Sequence, residues 1–269
     1  MITSEFAIRL IFKNITTTAD NRSYFAKKWK RKNVRLNSWG FREIEFDLAK
    51  PAGMYRIAVV GDSITFGQGI PENSRFSNLL ESYLTNKGHY QILNCGKCGG
   101  ETIHHLKSLQ DVVLKAEPDF VVLQWFPNDF EGRDKTGRPK YLSLLPSNTI
   151  CSMLTPTSAL YYVLSHQWRA LQIRFGYCDS YASYMDKRFS NPQNCDSIEA
   201  MAALTEFIEQ CHNRDIGVGF FLFPATNVDL GDSYPFVYLH ERVRELCDKK
   251  KITCLDLRST FARDSVRTK

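Results

Sequence analysis

Ser63 lies in the stretch GDSITFGQG (61–69), directly after the apolar run RIAVV. A serine hydroxyl in that setting can act as a nucleophile. A serine behind Gly-Asp can also simply cap a turn. Two further stretches share the setting: NCGKCGGET (94–102) ends a second apolar run, and FPNDF (126–130) follows a third. They hold a glycine-rich turn and a carboxamide. The N–H groups of Ser63 and Gly99 can point at a developing oxyanion, with the Asn128 amide as a third donor. Glycine at 99 would let the backbone approach a substrate closely. Asp62 and Asp129 suit bracing of the turns better than reaction. Position 65 is Thr, so the stretch is not a G-x-S-x-G elbow. No G-K-[ST] and no G-x-G-x-x-G follows a strand, which leaves nucleotide binding without support.

These residues need a scaffold that brings strand ends to one edge. Five apolar runs supply it: RIAVVG (56–61), YQILNC (90–95), DFVVLQW (119–125), IGVGFFLF (216–223) and ITCLDL (252–257). They are continuous rather than alternating, as in a parallel sheet covered on both faces. Helical patterns over about 74–87, 102–116, 197–214 and 234–250 lie between them. The alternation predicts an α/β fold with right-handed crossovers and strand order 2-1-3-4-5. Ligands bind at the C-terminal edge of such a sheet, where all three stretches fall.

The region 130–196 breaks the rhythm and reads as an inserted helical segment or lid. Its Tyr161, Tyr162, Trp168 and Phe175 would either pack on the main core or line an acyl or sugar site. Residues 1–50 read as an N-terminal strap, and 51–269 as the main domain.

Net charge is +6, from 35 basic and 29 acidic residues. Lys27, Lys28, Lys30, Arg31, Lys32 and Arg35 sit in one run, KKWKRKNVR, and without those six the basic count equals the acidic one. No general nucleic-acid surface is expected. The basic run reads as a solvated strap. Its alternative is contact with an anionic membrane or polymer, with Trp29 as an interfacial anchor. No stretch approaches the roughly 20 apolar residues that span a bilayer. The sequence as written reads as cytoplasmic, or as exported or anchored if residues precede Met1. Of eight cysteines only Cys95 and Cys98 form a C-x-x-C. With no second pair and no histidine at finger spacing, neither a zinc site nor any other cofactor is expected. That pair reads as packing, with a redox pair as the alternative, and Cys254 reads as a core residue.

GDSITFG, NCGKCGG and FPND together resemble the first three blocks of the SGNH, or GDSL, hydrolases, and RLNSWGFREIEF (35–46) resembles a segment that precedes the serine block. The resemblance covers roughly 35–130 and, more loosely, the last two strands. It implies a flavodoxin-like five-stranded parallel sheet with helices on both faces. It also implies a serine esterase, lipase or carbohydrate deacetylase, with Ser63 as nucleophile and Gly99 and Asn128 as oxyanion donors. The family's third block usually begins with Gly where this chain has Phe126.

The family supplies its general base as D-x-x-H after the last strand. None of the six histidines has Asp three residues before it. His104 and His105, just after Gly99, are the outside candidates. His240 reads as a partly exposed helical residue, while His89, His166 and His212 lie away from the edge. The resemblance therefore places the base beyond Lys269. The expected function is hydrolysis of an O-acyl ester, such as an acetyl group on a saccharide. The alternatives are acyl transfer, and a base-less SGNH scaffold that binds an acylated glycan.

Overall fold

The computed structural model describes residues 2–15, 22–132 and 153–267. Its centre is a parallel sheet of β1 (Tyr55–Gly61), β2 (Tyr90–Gly96), β3 (Phe120–Trp125), β4 (Gly217–Leu222) and β5 (Thr253–Asp256). The order is β2-β1-β3-β4-β5, the one expected from the sequence. Gly61 pairs with Gly96 and Val60 with Leu123, so β1, β2 and β3 end side by side.

Both faces of the sheet carry apolar side chains, because successive residues of a strand point to opposite sides. On one face Ala58, Val60, Leu123 and Phe220 pack under helices α5 (Thr102–Asp111), α8 (Cys195–His212) and α9 (Val237–Lys250). On the other, Val59, Ile92 and Val122 meet Phe76, Leu80 and Leu84 of α4 (Phe76–Thr85). Strand β5 departs from the expected burial. Its residues alternate between exposed and half-buried, and Leu255 is 48% exposed. As an edge strand it has a neighbour on one side only. Cys254 is accordingly half-buried.

Outside the sheet lie α1 (Ile2–Ile11), α2 (Tyr24–Asn33), α6 (Ala159–Arg174) and α7 (Tyr181–Phe189). The basic run is helical, with Lys27, Lys28, Arg31 and Lys32 exposed to solvent. It forms α2, with Phe25, Ala26 and Trp29 buried on the inner side. Trp29 lies under the Arg42 guanidinium, 5.0 Å from the ring centre, and so cannot serve as a membrane anchor. Within the inserted segment, α7 buries Met185 and Phe189 against the main core, while α6 does not enter it. Tyr162 packs edge-on against Phe25 of α2 at 5.3 Å, and Trp168 and Phe175 are exposed. Much of the opening part of this segment, 133–152, with Cys151, lies outside the described residues.

The sheet meets the short helix α3 (Ser63–Phe66) at Gly96. A Cβ there would overlap the Phe66 backbone nitrogen and lie 2.7 Å from the Thr65 carbonyl carbon. Backbone cannot give way as a flexible side chain can. Gly96→Ala should therefore cost about 1–3 kcal/mol, the range for overpacking, read as a lower urea midpoint at unchanged m-value.

Candidate active site

Turn 61–65 leaves the sheet in the protein interior, where each backbone N–H needs an acceptor. The side chain of Gln124, on the adjacent strand β3, provides one. Its Oε1 accepts from Asp62 N at 3.1 Å, Thr65 N at 3.2 Å and Thr65 Oγ1 at 2.9 Å. Asp62 caps α3 by accepting from Ile64 N at 2.8 Å, and its carbonyl takes Phe66 N at 3.0 Å. Asn94 Nδ2 holds the Thr65 carbonyl at 2.6 Å. Within this turn the Ser63 N–H has no acceptor among the described residues, and no side chain there hydrogen-bonds Ser63 Oγ.

Arg42 fastens the far end of α3. It is buried and donates to Gly67 O at 2.7 Å, Phe66 O at 3.3 Å and Ile70 O at 3.2 Å. Asn37 aims it, accepting from Trp39 N at 3.1 Å and Phe41 N at 3.0 Å. Buried Arg75 then donates to the Arg42 carbonyl and pairs with Glu43 at 3.4 Å, and Glu43 accepts from Asn94 N at 3.2 Å. Segment 37–43 is thus a strut beneath the serine turn.

Gly99 follows β2 in a turn with φ +73°, a conformation that favours glycine, and its N–H also lacks an acceptor among the described residues. Asn128 follows β3 in a 3₁₀ turn, Pro127–Phe130. Its Oδ1 is buried with no hydrogen-bond donor among the described residues. Phe126, where glycine is usual, has φ −140° and ψ 151°, extended backbone open to any residue. Ser63, Gly99 and Asn128 thus follow the C-terminal ends of three adjacent parallel strands. Beside Gly99 an open cleft of about 330 Å³ is lined by Lys97, Cys98, His104, Lys107, Ser108 and Asp111.

Asp129 braces its turn as expected: Oδ2 accepts from Phe126 N at 2.9 Å. Its Oδ1 lies 3.1 Å from Nε2 of His105, with both side chains buried. Burial favours neutral His105, but the Asp129 charge and hydrogen bond outweigh it and raise the imidazole pKa. Burial pushes Asp129 up while His105 pulls it down. His105 is thereby committed to Asp129, and exposed His104 pairs with Glu101 at 3.2 Å. Neither hydrogen-bonds Ser63. His240 is 2% exposed, a correction to its expected partial exposure. It is enclosed by Trp125, Tyr234 and Asp256, with Nε2 3.3 Å from Tyr234 Oη and Nδ1 3.2 Å from Asp256 Oδ2. Cys95 and Cys98 are unpaired, and burial pushes the Cys98 thiol up to about 12, which does not favour a reactive thiolate.

No family model matches the sequence, and no curated protein matches it either. Among solved structures the chain is similar to SGNH-type esterases. AlinE4, an SGNH-hydrolase family esterase, is 16% identical over 76% of this chain and 77% of that one, with a TM-score of 0.44. The acetyl xylan esterase AlAXEase is 18% identical over 79% and 82%, with a TM-score of 0.46. A catalytic mutant of Axe2, an acetylxylan esterase from Geobacillus stearothermophilus, is 14% identical over 80% and 81%, with a TM-score of 0.47.

Gln124 and Arg42 escape the sequence reading, and His105 enters it only as an outside candidate for the base, not as the buried partner of Asp129. A glutamine inside the apolar run DFVVLQW was the one available signal, since a buried amide must find partners. Gln124→Met keeps the volume but strands two buried N–H groups and a hydroxyl. A loss of about 1–3 kcal/mol for each group left unsatisfied is expected by urea unfolding.

Asp62 supplies a pH signature. Burial, then the nearby Asp129 charge, raises its pKa from 3.8 to about 7. The folded state therefore holds this proton more tightly than the unfolded one. The associated stability is present at low pH and is lost as pH rises through the folded value. Asn at position 62 can still accept from Ile64 N and carries no charge. The Tm difference between Asp62→Asn and wild type should grow in favour of the variant from about pH 4 to pH 8, by differential scanning calorimetry. A constant difference would show that Asp62 stays ionised throughout.

Proposed function

We propose that this chain is an SGNH-type serine hydrolase acting on a carboxylic O-acyl ester, with an O-acetylated saccharide as the substrate class. One observation carries the reading. In a turn whose other N–H groups are taken up by Gln124, Asp62 O and Asp62 Oδ1, the Ser63 N–H alone lacks an acceptor among the described residues, and the Gly99 N–H lacks one too. Fixed donors without partners suit a charge that appears only during reaction. Ser63 Oγ would attack the acyl carbon, and the resulting oxyanion would rest on these two N–H groups and the Asn128 amide. Collapse would expel the alcohol and leave an acyl-enzyme, which water would release.

The Ser63 proton also needs a base, and none of the six histidines hydrogen-bonds Oγ. That favours a second reading, a binding protein for an acylated glycan on the same three residues. One pair of measurements separates them. If the chain is an esterase, it hydrolyses p-nitrophenyl acetate and a fluorophosphonate labels it at Ser63. Ser63→Ala should then abolish both without unfolding, and Asn128→Ala should slow turnover by about 10²–10³-fold. Turnover undiminished in Ser63→Ala would overturn the mechanism. Absence of turnover and labelling, with acetylated xylo-oligosaccharide still bound in calorimetry, would establish the second reading.

A further inference from the structure

Helix α9 ends at Lys251, which is left-handed with φ +56°, and the chain doubles back at once into β5. Ile252 N donates to Cys247 O at 3.0 Å, and Lys251 N to Asp248 O at 3.1 Å. This turn sets the start of β5 beside the last turn of α9. Cys254 pairs in register with Phe220 of β4 and packs against the core cluster that holds both Phe220 and Cys247. Its side chain thus points toward α9, and its sulfur accepts a hydrogen bond from the Cys247 thiol.

Two cysteines in contact can be nothing more than small apolar filling. Here the two sites differ in ways that filling does not need. Cys247 is fully enclosed, whereas Cys254 is half-buried on an edge strand, between exposed Thr253 and exposed Leu255. The shared S–H, then burial, holds the Cys247 thiol well above its ordinary range. The same hydrogen bond pulls the Cys254 thiol below its ordinary value against the effect of burial. Arg244 also favours the Cys254 thiolate, while Asp256 and Asp248 oppose it. An accessible sulfur of lowered pKa beside an enclosed one that stays protonated is the arrangement of an attacking and a resolving cysteine. Cys98 is unlike either, since it donates to Gln68 Oε1 at 3.0 Å and its pKa is pushed up to about 12.

We propose that Cys247 and Cys254 are a modification site, a thiol pair that hydrogen peroxide converts to a disulfide between α9 and β5. The Cys254 thiolate attacks one peroxide oxygen and the O–O bond breaks. The departing hydroxide takes up the proton that Cys254 had released and becomes water. Cys254 is now a sulfenic acid. The Cys247 sulfur attacks it, the S–S bond forms and the S–O bond breaks. The hydroxyl leaves with the Cys247 proton as a second water. Both thiols are oxidised and the peroxide is reduced, with no further reactant. The bond would fasten β5, which has a sheet neighbour on one side only, to the helix that covers it.

The test treats the whole chain with hydrogen peroxide, folded and in urea, caps the remaining thiols with N-ethylmaleimide, and maps tryptic peptides by mass spectrometry. Lys249, Lys250 and Lys251 lie between the two cysteines, so trypsin separates them and only a disulfide holds 245–249 to 252–258. The linked pair is expected as the main product from folded protein, about 2 Da lighter than the two free peptides together. Its yield should be at least about tenfold higher than in urea, where the positioning is lost. Dithiothreitol should restore both thiols. In Cys247→Ser the same treatment should leave Cys254 as a sulfenic acid that dimedone labels, and in Cys254→Ser Cys247 should stay unlabelled. Far-UV circular dichroism checks that each variant is folded, and the wild-type map decides the matter without them. Absence of the linked pair from folded protein, equal yield in urea, or earlier oxidation of exposed Cys195 would overturn the proposal.

Discussion

The side-chain carbonyl of Gln124 is the contact on which the serine turn depends. A strand that ends inside a protein and turns at once into a helix exposes several N–H groups where no water reaches them. Gln124 reaches across from β3 and accepts from two of these and from the Thr65 hydroxyl. Asp62 accepts the next two, one on its side chain and one on its carbonyl. The donor left over belongs to Ser63. Its position follows from the order in which the neighbouring groups are satisfied, not from any property of serine.

Around that turn, charged groups are buried in sets rather than singly. Arg42, Arg75 and Glu43 connect the upstream strut to the end of α3 and to β2. His105 and Asp129 connect the helix after Gly99 to the turn that carries Asn128. An isolated buried charge would be very costly, and pairing with hydrogen bonds offsets much of that cost. The result is that all three loops at the strand ends are cross-tied by groups that tolerate little movement. Positioning of this kind is what fixed donors need if they are to stabilise a charge without reorganising.

Apolar surface is distributed unevenly over the molecule. The face of the sheet beneath α5, α8 and α9 is deeply buried, while β5 at the edge leaves Leu255 open. Helix α6 is a separate matter. It holds to α1 and α2 through its start and through Tyr162, which leaves its opposite side without a partner among the described residues. The cleft beside Gly99 lies at the sheet edge, whereas exposed Trp168 and Phe175 lie on and just after α6.

The sheet was legible in the sequence because its signals are local. Five unbroken apolar runs, separated by helical periodicity, admit few arrangements once crossovers must be right-handed, and the observed order is the expected one. The placement of Ser63, Gly99 and Asn128 at adjacent strand ends follows from that topology. Side-chain partnerships were not legible, because they join residues far apart in the chain. Nothing local to His105 shows that Asp129, 24 positions away, will take its ring, or that Arg42 will reach carbonyls 24 to 28 positions on. Burial of His240 and Trp29 likewise depends on which element arrives from elsewhere to cover them. Trp168 and Phe175 read equally as core residues or as the lining of a site, because the same residue types serve a core helix and a surface one. Only the packing of α6 on α1 and α2 decided which side would face outward, because a helix buries whichever side its neighbours cover.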